Sequence, residues 1–116
     1  MIRKILIAVL LTAFYGASHA ADGNYMAKLS DAHDRVLNGK GTLQDALDAG
    51  RLEGFVMAVA DRISVSGVLC TPDQVTYEQL VAITKKAVRE EPDQWHMNGH
   101  YIVGVALTKA FPCNKK

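Results

Sequence analysis

The sequence predicts an all-α fold, a compact bundle of about four helices with one intramolecular disulfide. Three observations lead to this prediction. Apolar residues recur at helical spacing along most of the 116 residues. No sustained alternation of apolar and polar residues indicates a strand. The chain has only two cysteines, Cys70 and Cys113, and both lie within two residues of a proline in short breaks of the helical pattern.

The first twenty residues are typical of an export signal. Two basic residues are followed by an apolar run as far as Phe14, and Ser18-His19-Ala20 is a small-residue cleavage site. The apolar run is shorter than the roughly 20 residues that span a bilayer, so a retained membrane anchor is the weaker alternative. We therefore expect residues 1–20 to be a signal peptide and residues 21–116 to form one exported helical domain.

The charge balance is close to neutral. The full chain has 13 basic and 12 acidic residues. Loss of Arg3 and Lys4 with the signal would leave 11 basic residues (13 less these two) against 12 acidic ones, a net charge of −1. Nucleic-acid and anionic-membrane surfaces need an excess of lysine and arginine. The composition therefore predicts neither kind of partner.

A first helix is predicted over residues 24–37. Its apolar positions recur at helical spacing, and turn-forming residues follow from Asn38 to Gly41. The predicted buried residues of this helix are Tyr25, Met26, Leu29, Val36 and Leu37.

A second helix is predicted after Thr42, which is a candidate N-cap, and continues to about Ser64. Gly50 and Gly54 lie four residues apart on one face of it, so they lower helix propensity but would let another helix approach closely. The predicted apolar stripe consists of Leu43, Ala46, Leu47, Phe55, Val56, Val59 and Ile63.

A third helix is predicted from Thr76 to the residues before Pro92. The series Thr76-Tyr77-Glu78-Gln79 fits a capping box, with Val75 and Leu80 as its hydrophobic staple. A start at Pro72 is the alternative, because proline is favoured at the first helical position. We favour a short turn at Pro72 and the main helix from Thr76. Its predicted buried side is Tyr77, Leu80, Val81, Ile83, Ala87 and Val88.

A fourth helix is predicted from near Asp93 to Ala110, with Phe111-Pro112-Cys113 at its end. Its centre is apolar nearly all round, which indicates burial on several sides, within the bundle or partly against a second protomer. The residues concerned are Met97, Tyr101, Ile102, Val103, Val105, Ala106 and Leu107.

The two cysteines are expected to form a disulfide. An exported chain meets an oxidising compartment, where an even number of cysteines indicates structural bridges rather than free thiols or metal ligands. The bond between Cys70 and Cys113 would close a loop of 43 positions. Chain-entropy treatment assigns such a loop roughly 4 kcal/mol of stability.

The sequence contains no convincing active site. His96 and His100 have the i,i+4 spacing of a helical metal pair, but no glutamate follows the first histidine and no third ligand is evident. A cysteine nucleophile would need a free thiolate. The acidic residues around Pro92 fit a solvated loop. We therefore expect neither an enzyme nor a bound cofactor or metal.

The turn after the third helix is a candidate contact surface. It carries the only tryptophan, Trp95, among acidic and polar neighbours, a composition found where an aromatic residue anchors a protein partner. The alternative is that Trp95 packs inward over the end of the bundle. The candidate residues are Glu90, Glu91, Pro92, Asp93, Gln94, Trp95 and His96.

Several segments together resemble a known family. They are Gly54-Phe55-Val56, Leu69-Cys70-Thr71-Pro72, Val75-Thr76-Tyr77-Glu78-Gln79-Leu80, Pro92, His96, Ala106-Leu107 and Ala110-Phe111-Pro112-Cys113. Over residues 38–115 the chain resembles the Tai/Rap family, the periplasmic immunity proteins of type VI secretion amidase effectors. The two cysteine segments are specific in combination.

The resemblance implies a small helical protein, usually a homodimer, that is an inhibitor and not an enzyme. Its partner would be a papain-like cysteine peptidase that cuts peptidoglycan, and inhibition would block the active-site cleft of that amidase. In the family a protruding loop and the adjoining helix are associated with inhibition. The best match here is the end of the third helix with the Pro92 turn, so residues 90–96 are predicted to bind the effector.

Two other functions fit parts of the sequence. A small periplasmic acid-stress chaperone is also helical, exported and braced by one disulfide, and would expose apolar surface at low pH. A metal-dependent hydrolase that uses His96 and His100 is the third possibility and requires stoichiometric metal.

Overall fold

A computed structural model describes residues 21–114 and folds them into a bundle of four α-helices. The elements are α1 (Gly23–Leu37), α2 (Leu43–Val65), α3 (Tyr77–Glu90), a 3₁₀ helix (Pro92–Gln94) and α4 (Gly99–Ala110). The predicted all-α class is confirmed. The predicted signal peptide lies outside the described residues. Within the described part of the chain, no helix has the length and hydrophobicity needed to cross a membrane.

The predicted helix starts at Thr42 and Thr76 are confirmed. The Thr42 hydroxyl accepts from the Asp45 backbone N–H at 3.1 Å, and the Asp45 carboxylate accepts from the Thr42 N–H at 3.0 Å. Thr76 and Gln79 make the same reciprocal pair at the start of α3, at 3.3 and 2.8 Å. Each box satisfies amide groups that the first turn of a helix leaves without a backbone partner.

The core is formed by all four helices and the buried residue Leu69 of the α2–α3 loop. Helix α2 packs against each of the other three helices. The core residues are Met26, Leu29, Leu52, Val56, Ala60, Leu69, Leu80, Val81, Val88, Ile102, Val103 and Leu107. Phe55, Val75 and Trp95 are partly buried against this cluster.

The predicted apolar stripe is wrong where α1 meets α2. Leu37 is 69% exposed and Leu43 is 80% exposed. The inward positions at the start of α2 are taken instead by Asp45 and Asp48, which are buried. Arg35 pairs with Asp45 and Arg51 with Asp48, each at 2.7 Å. Paired carboxylates can occupy inward positions that an unpaired charge could not.

The Asp45 carboxylate is strongly stabilised in its charged form. Hydrogen bonds from the Arg35 guanidinium, and then from the Thr42 backbone, hold the pKa of Asp45 well below its ordinary value. The same carboxylate therefore caps α2 and ties α1 to it.

Gly50 and Gly54, which would let another helix approach closely, are not covered by any helix of the described bundle. A Cβ atom built at either glycine would meet nothing within 4 Å, and both residues are exposed. No helix of the described bundle covers this face of α2. Both glycines therefore lower helix propensity without a packing role inside the described chain.

Helix α4 begins at Gly99 and not near Asp93 as predicted. The carbonyl oxygens of Trp95 and Met97 accept from the first amides of α1, those of Asn24 and Gly23, at 3.1 and 3.0 Å. A helix that started at Asp93 would need the same carbonyl groups for its own i→i+4 bonds. The tertiary contact with α1 therefore moves the start of the fourth helix to Gly99, and residues 92–94 form a 3₁₀ turn instead.

The predicted disulfide between Cys70 and Cys113 is confirmed. It joins the α2–α3 loop to the segment that follows α4. An isolated β-bridge pairs Leu69 with Pro112, and the Cys70 N–H donates to the Phe111 carbonyl at 3.2 Å. The bond therefore fixes the end of α4 to the entry of α3.

Replacing both cysteines with serine should lower the free energy of unfolding by about 4 kcal/mol, because the open 43-position loop restores entropy to the unfolded chain. Urea unfolding of C70S/C113S measures this. Wild-type protein kept in reductant is the control and should unfold with the variant. Equal urea midpoints for oxidised wild type and the double variant would contradict the role of the bond.

Candidate functional site

The predicted contact segment, residues 90–96, forms one end of the bundle. It runs from the last turn of α3 through the 3₁₀ helix Pro92–Gln94 to the turn before α4. Gln94 and Trp95 are half-buried. The exposed members are Glu90, Glu91, Pro92, Asp93 and His96. Their carboxylates and imidazole therefore face solvent on a short, compact turn.

The turn is held against the start of α1 by backbone hydrogen bonds. Besides the amide bonds from Gly23 and Asn24, the Asn24 side-chain amide donates to the Trp95 carbonyl at 3.2 Å. Asp22 and Asn98 form an isolated antiparallel bridge. These contacts satisfy amides at the α1 N-terminus that have no partner within the helix. The arrangement, which we call the α1 clamp, makes the turn a rigid element.

Two glycines make the α1 clamp possible. A Cβ atom at Gly23 would lie 2.4 Å from the Trp95 Cα, and one at Gly99 would lie 2.7 Å from the Ala21 carbonyl oxygen. Only glycine lets these backbone segments come so close. Neither role is recognisable from the sequence, since Gly23 stands alone beside a helix start and Gly99 falls inside a predicted helix.

The Trp95 ring packs inward, as the alternative proposed. Its indole N–H donates to the Val88 carbonyl at 2.8 Å, and the ring contacts the core. In a continuing helix the Val88 carbonyl would accept from the N–H of residue 92. That residue is Pro92, which has no N–H. The indole therefore supplies the donor that Pro92 lacks and links α3 to the turn.

A groove of about 440 Å³ runs beside the turn between α3 and α4. Glu90, Glu91, Gln94 and Trp95 contribute to its walls. We call it the α3–α4 groove. Four of the seven residues of the predicted contact segment therefore share one continuous surface with α3 and α4.

The α4 side of the groove is apolar. Tyr101 and Val105 line it and are 49% and 38% exposed. Both were predicted to lie in the buried centre of the fourth helix. Helix α4 instead has one open side, because its buried residues Ile102, Val103, Ala106 and Leu107 all face the core.

The charges around the α3–α4 groove are of both signs. Its lining includes two lysines and two glutamates: Lys86, Lys109, Glu90 and Glu91. The Lys86 ammonium nitrogen lies 3.9 Å from the Glu90 carboxylate oxygen Oε1. Opposite charges at this spacing on an exposed helix contribute little to stability. The groove therefore offers an apolar floor with a charged edge that does not strongly select one sign.

A second polar cluster connects α1, α2 and α3 on the other side of the bundle. The Lys85 ammonium, whose side chain is only 8% exposed, pairs with Asp34 and lies 3.0 Å from His33 Nδ1. Lysine can only donate, so Nδ1 accepts and Nε2 carries the proton. That Nε2 lies 3.2 Å from Glu53 Oε1, so His33 donates to Glu53.

Asp34 is the centre of charge in this cluster. Partial burial opposes its ionisation, but hydrogen bonds from Lys85 and Arg89 outweigh that effect and keep the pKa of Asp34 below its ordinary value. The cluster is not predictable from the sequence, because its members lie on three helices and no spacing along the chain links them.

The metal alternative lacks its required geometry. His96 lies in the turn before α4, whereas His100 is in the first turn of that helix, so the two do not share a helical face. In the described residues no group of histidine, cysteine, aspartate and glutamate has a metal-binding arrangement. Both cysteines are in the disulfide, so neither offers a thiolate.

Comparison with known protein families gives one match. A family model described as Rap1a immunity proteins matches residues 22–113. No curated protein and no solved structure matches the chain. The matched range includes the α1 clamp, all four helices and both cysteines.

Substituting alanine for Gly23 should destabilise the protein by about 1–3 kcal/mol, because the new methyl group collides with the Trp95 backbone. Urea unfolding and the Trp95 fluorescence maximum would report the loss. The matched control is Gly104→Ala, at a helical position with no atom within 4 Å, which should raise stability by about 1 kcal/mol. Equal effects of the two substitutions would show that the α1 clamp has no such steric requirement.

Proposed function

The chain belongs to the Rap1a immunity protein family, and from this membership we propose that it is a periplasmic inhibitor of a type VI secreted peptidoglycan amidase. The family match over residues 22–113 is the observation that carries the proposal. Membership of an immunity protein family implies a cognate effector. The choice of an amidase rests on the resemblance of the two cysteine segments, and the periplasmic location on the export-signal pattern of residues 1–20.

We propose that the turn at residues 90–96 enters the active-site cleft of the effector. The α1 clamp supports this mechanism because a rigid element loses little conformational entropy when it binds. Pro92 and Asp93 are exposed at the tip, whereas Trp95 is engaged with Val88. Asp93 and its acidic neighbours would thus make the direct contact, and Trp95 would position them.

The α3–α4 groove extends the proposed contact surface. Its apolar members Tyr101 and Val105 are exposed beside the turn. Partly exposed aromatic residues next to a charged edge are frequent at the centres of protein interfaces. The turn would fill the active-site cleft of the effector. The apolar residues of the α3–α4 groove would contact the effector surface around that cleft.

The central test mixes the purified protein with the amidase encoded beside it and measures peptidoglycan hydrolysis. We expect stoichiometric loss of hydrolysis at neutral pH. Full hydrolysis in the presence of excess protein would reject the proposal. The chaperone alternative predicts no such inhibition.

The contact residues are tested by charge reversal. Asp93→Lys should weaken inhibition by roughly tenfold or more, the effect expected of a central interface residue. Asp73→Lys is the matched control, since Asp73 is an equally exposed aspartate in the α2–α3 loop. Inhibition constants from titrations of the amidase compare the two variants. An unchanged inhibition constant for Asp93→Lys would show that the effector contact lies outside the turn.

We further propose that the protein is a homodimer joined through α2. A stripe of exposed residues runs along α2 and spans an arc of about 80° around the helix axis. Its members are Leu43, Leu47, Gly50, Gly54, Ala58, Asp61 and Val65. If two copies pack antiparallel with Gly54 at the two-fold axis, Leu43 meets Val65 and Gly50 meets Ala58. The stripe is thus self-complementary, as a two-fold interface requires.

Analytical ultracentrifugation tests this interface. Wild-type protein should sediment as a dimer, and Gly54→Arg as a monomer, because arginine prevents the close approach of the two helices. Gly104→Arg is the control: it also replaces a helical glycine with no atom within 4 Å, but it lies on α4. A monomeric wild type, or a dimeric Gly54→Arg, would reject the α2 interface.

A further inference from the structure

A second groove, of about 390 Å³, opens between α1, α2 and α3. Its walls are apolar and include Leu37, Met57, Val81 and Ala82. We call it the Glu53 groove, after the carboxylate at its edge. Its size is at the lower end of the range of ligand pockets, about 300–1,000 Å³. It can therefore hold one large side chain with part of its backbone.

The Glu53 groove and the α3–α4 groove use opposite faces of α3. Val81, Ala82 and Lys85 line the first, whereas Ile83, Lys86 and Ala87 line the second. At 100° of rotation per residue, the centres of the two sets are about 150° apart around the helix. A molecule bound in one groove therefore does not cover the other.

The floor of the Glu53 groove offers no free charge. Lys85 and His33 are its buried polar members. The Lys85 charge is balanced by Asp34, and the two hydrogen bonds of the His33 ring are made to Lys85 and Glu53. These groups form their ion pair and hydrogen bonds with one another within the bundle. The floor therefore has no unpaired charge for an ionic ligand to neutralise.

The mouth of the groove is negative. Glu53 and Glu78 line it and are exposed. A hydrogen bond from its own backbone amide, with another from the Thr76 hydroxyl, lowers the pKa of Glu78, which therefore remains ionised. Tyr77 also lines the mouth and is exposed. Lys85 is the only basic residue that lines the groove among the described residues, and Asp34 engages it.

We propose that the Glu53 groove binds a segment of another protein in which an apolar side chain is flanked by lysine or arginine. The apolar side chain enters between Leu37, Met57 and Val81. The flanking basic residues lie at the mouth, opposite Glu53 and Glu78. Charge complementarity favours this occupant over an acidic segment. The α3–α4 groove, which has charges of both signs, makes no such selection.

Binding of this kind is separate from inhibition of an effector at the turn. The two surfaces share only α3 and use opposite faces of it. Failure of the effector test would therefore leave this proposal standing, and failure of this one would leave the inhibitor proposal standing.

Three short peptides test the proposal with the purified, disulfide-bonded protein. The first is Ac-Gly-Lys-Leu-Lys-Gly-NH₂, the second has glutamate in place of both lysines, and the third has glycine in place of leucine. Methyl shifts of Met57 and Ala82 in NMR titrations report occupancy of the groove. We expect the first peptide to bind at least tenfold more tightly than either of the others, since only it matches both the apolar floor and the negative mouth.

Two variants assign that binding to the groove. Ala82→Trp fills the groove from an exposed position of α3 and should abolish the shift of the Met57 methyl group, whereas Ala87→Trp in the α3–α4 groove should leave that shift unchanged. Glu53→Lys with Glu78→Lys should reverse the preference to the glutamate peptide without filling the groove. Amide spectra that match wild type confirm the fold of each variant.

The proposal is overturned by any of four outcomes. They are no methyl shifts at millimolar peptide, equal binding of the first two peptides, equal binding of the leucine and glycine peptides, and unchanged binding to Ala82→Trp. Equally tight binding of arginine methyl ester would also overturn it, because the site would then recognise a small cation and not a protein segment.

Discussion

The contact between the start of α1 and the chain before α4 is the constraint on which the rest of the structure depends. The carbonyls of Trp95 and Met97 cap the first amides of α1, and Gly23 is small enough to let the two backbones meet. This contact decides where α4 begins. It also holds residues 90–96 as a compact turn at the end of the bundle.

Helix α4 is fixed at both ends by contacts that are distant along the chain. The α1 clamp holds its start, and the disulfide between Cys70 and Cys113 holds its end. Between these points the core side chains of α4, such as Val103 and Leu107, are fully buried. The open side of α4 is therefore preorganised, so it would lose little conformational entropy on binding a partner.

Helix α3 separates two surfaces of different character. One face, with the Trp95 turn and α4, forms a groove whose edge has both signs of charge. The opposite face, with α1 and α2, forms a groove with a negative mouth over a satisfied polar floor. The Lys85 pair with Asp34 makes this possible, because it buries an ammonium group and leaves the edge carboxylates facing solvent.

The sequence by itself determined the helical class, the starts at Thr42 and Thr76, and the cysteine pair. These features depend on residues close together in the chain, or on the only two residues of their kind. The family resemblance likewise rested on local motifs. The tertiary structure alone decided that Leu43 faces solvent while Asp45 is buried, that α4 begins at Gly99, and that Trp95 replaces the missing proline donor. Each of these outcomes depends on a partner from another helix, and helical periodicity cannot show which partner a polar group finds.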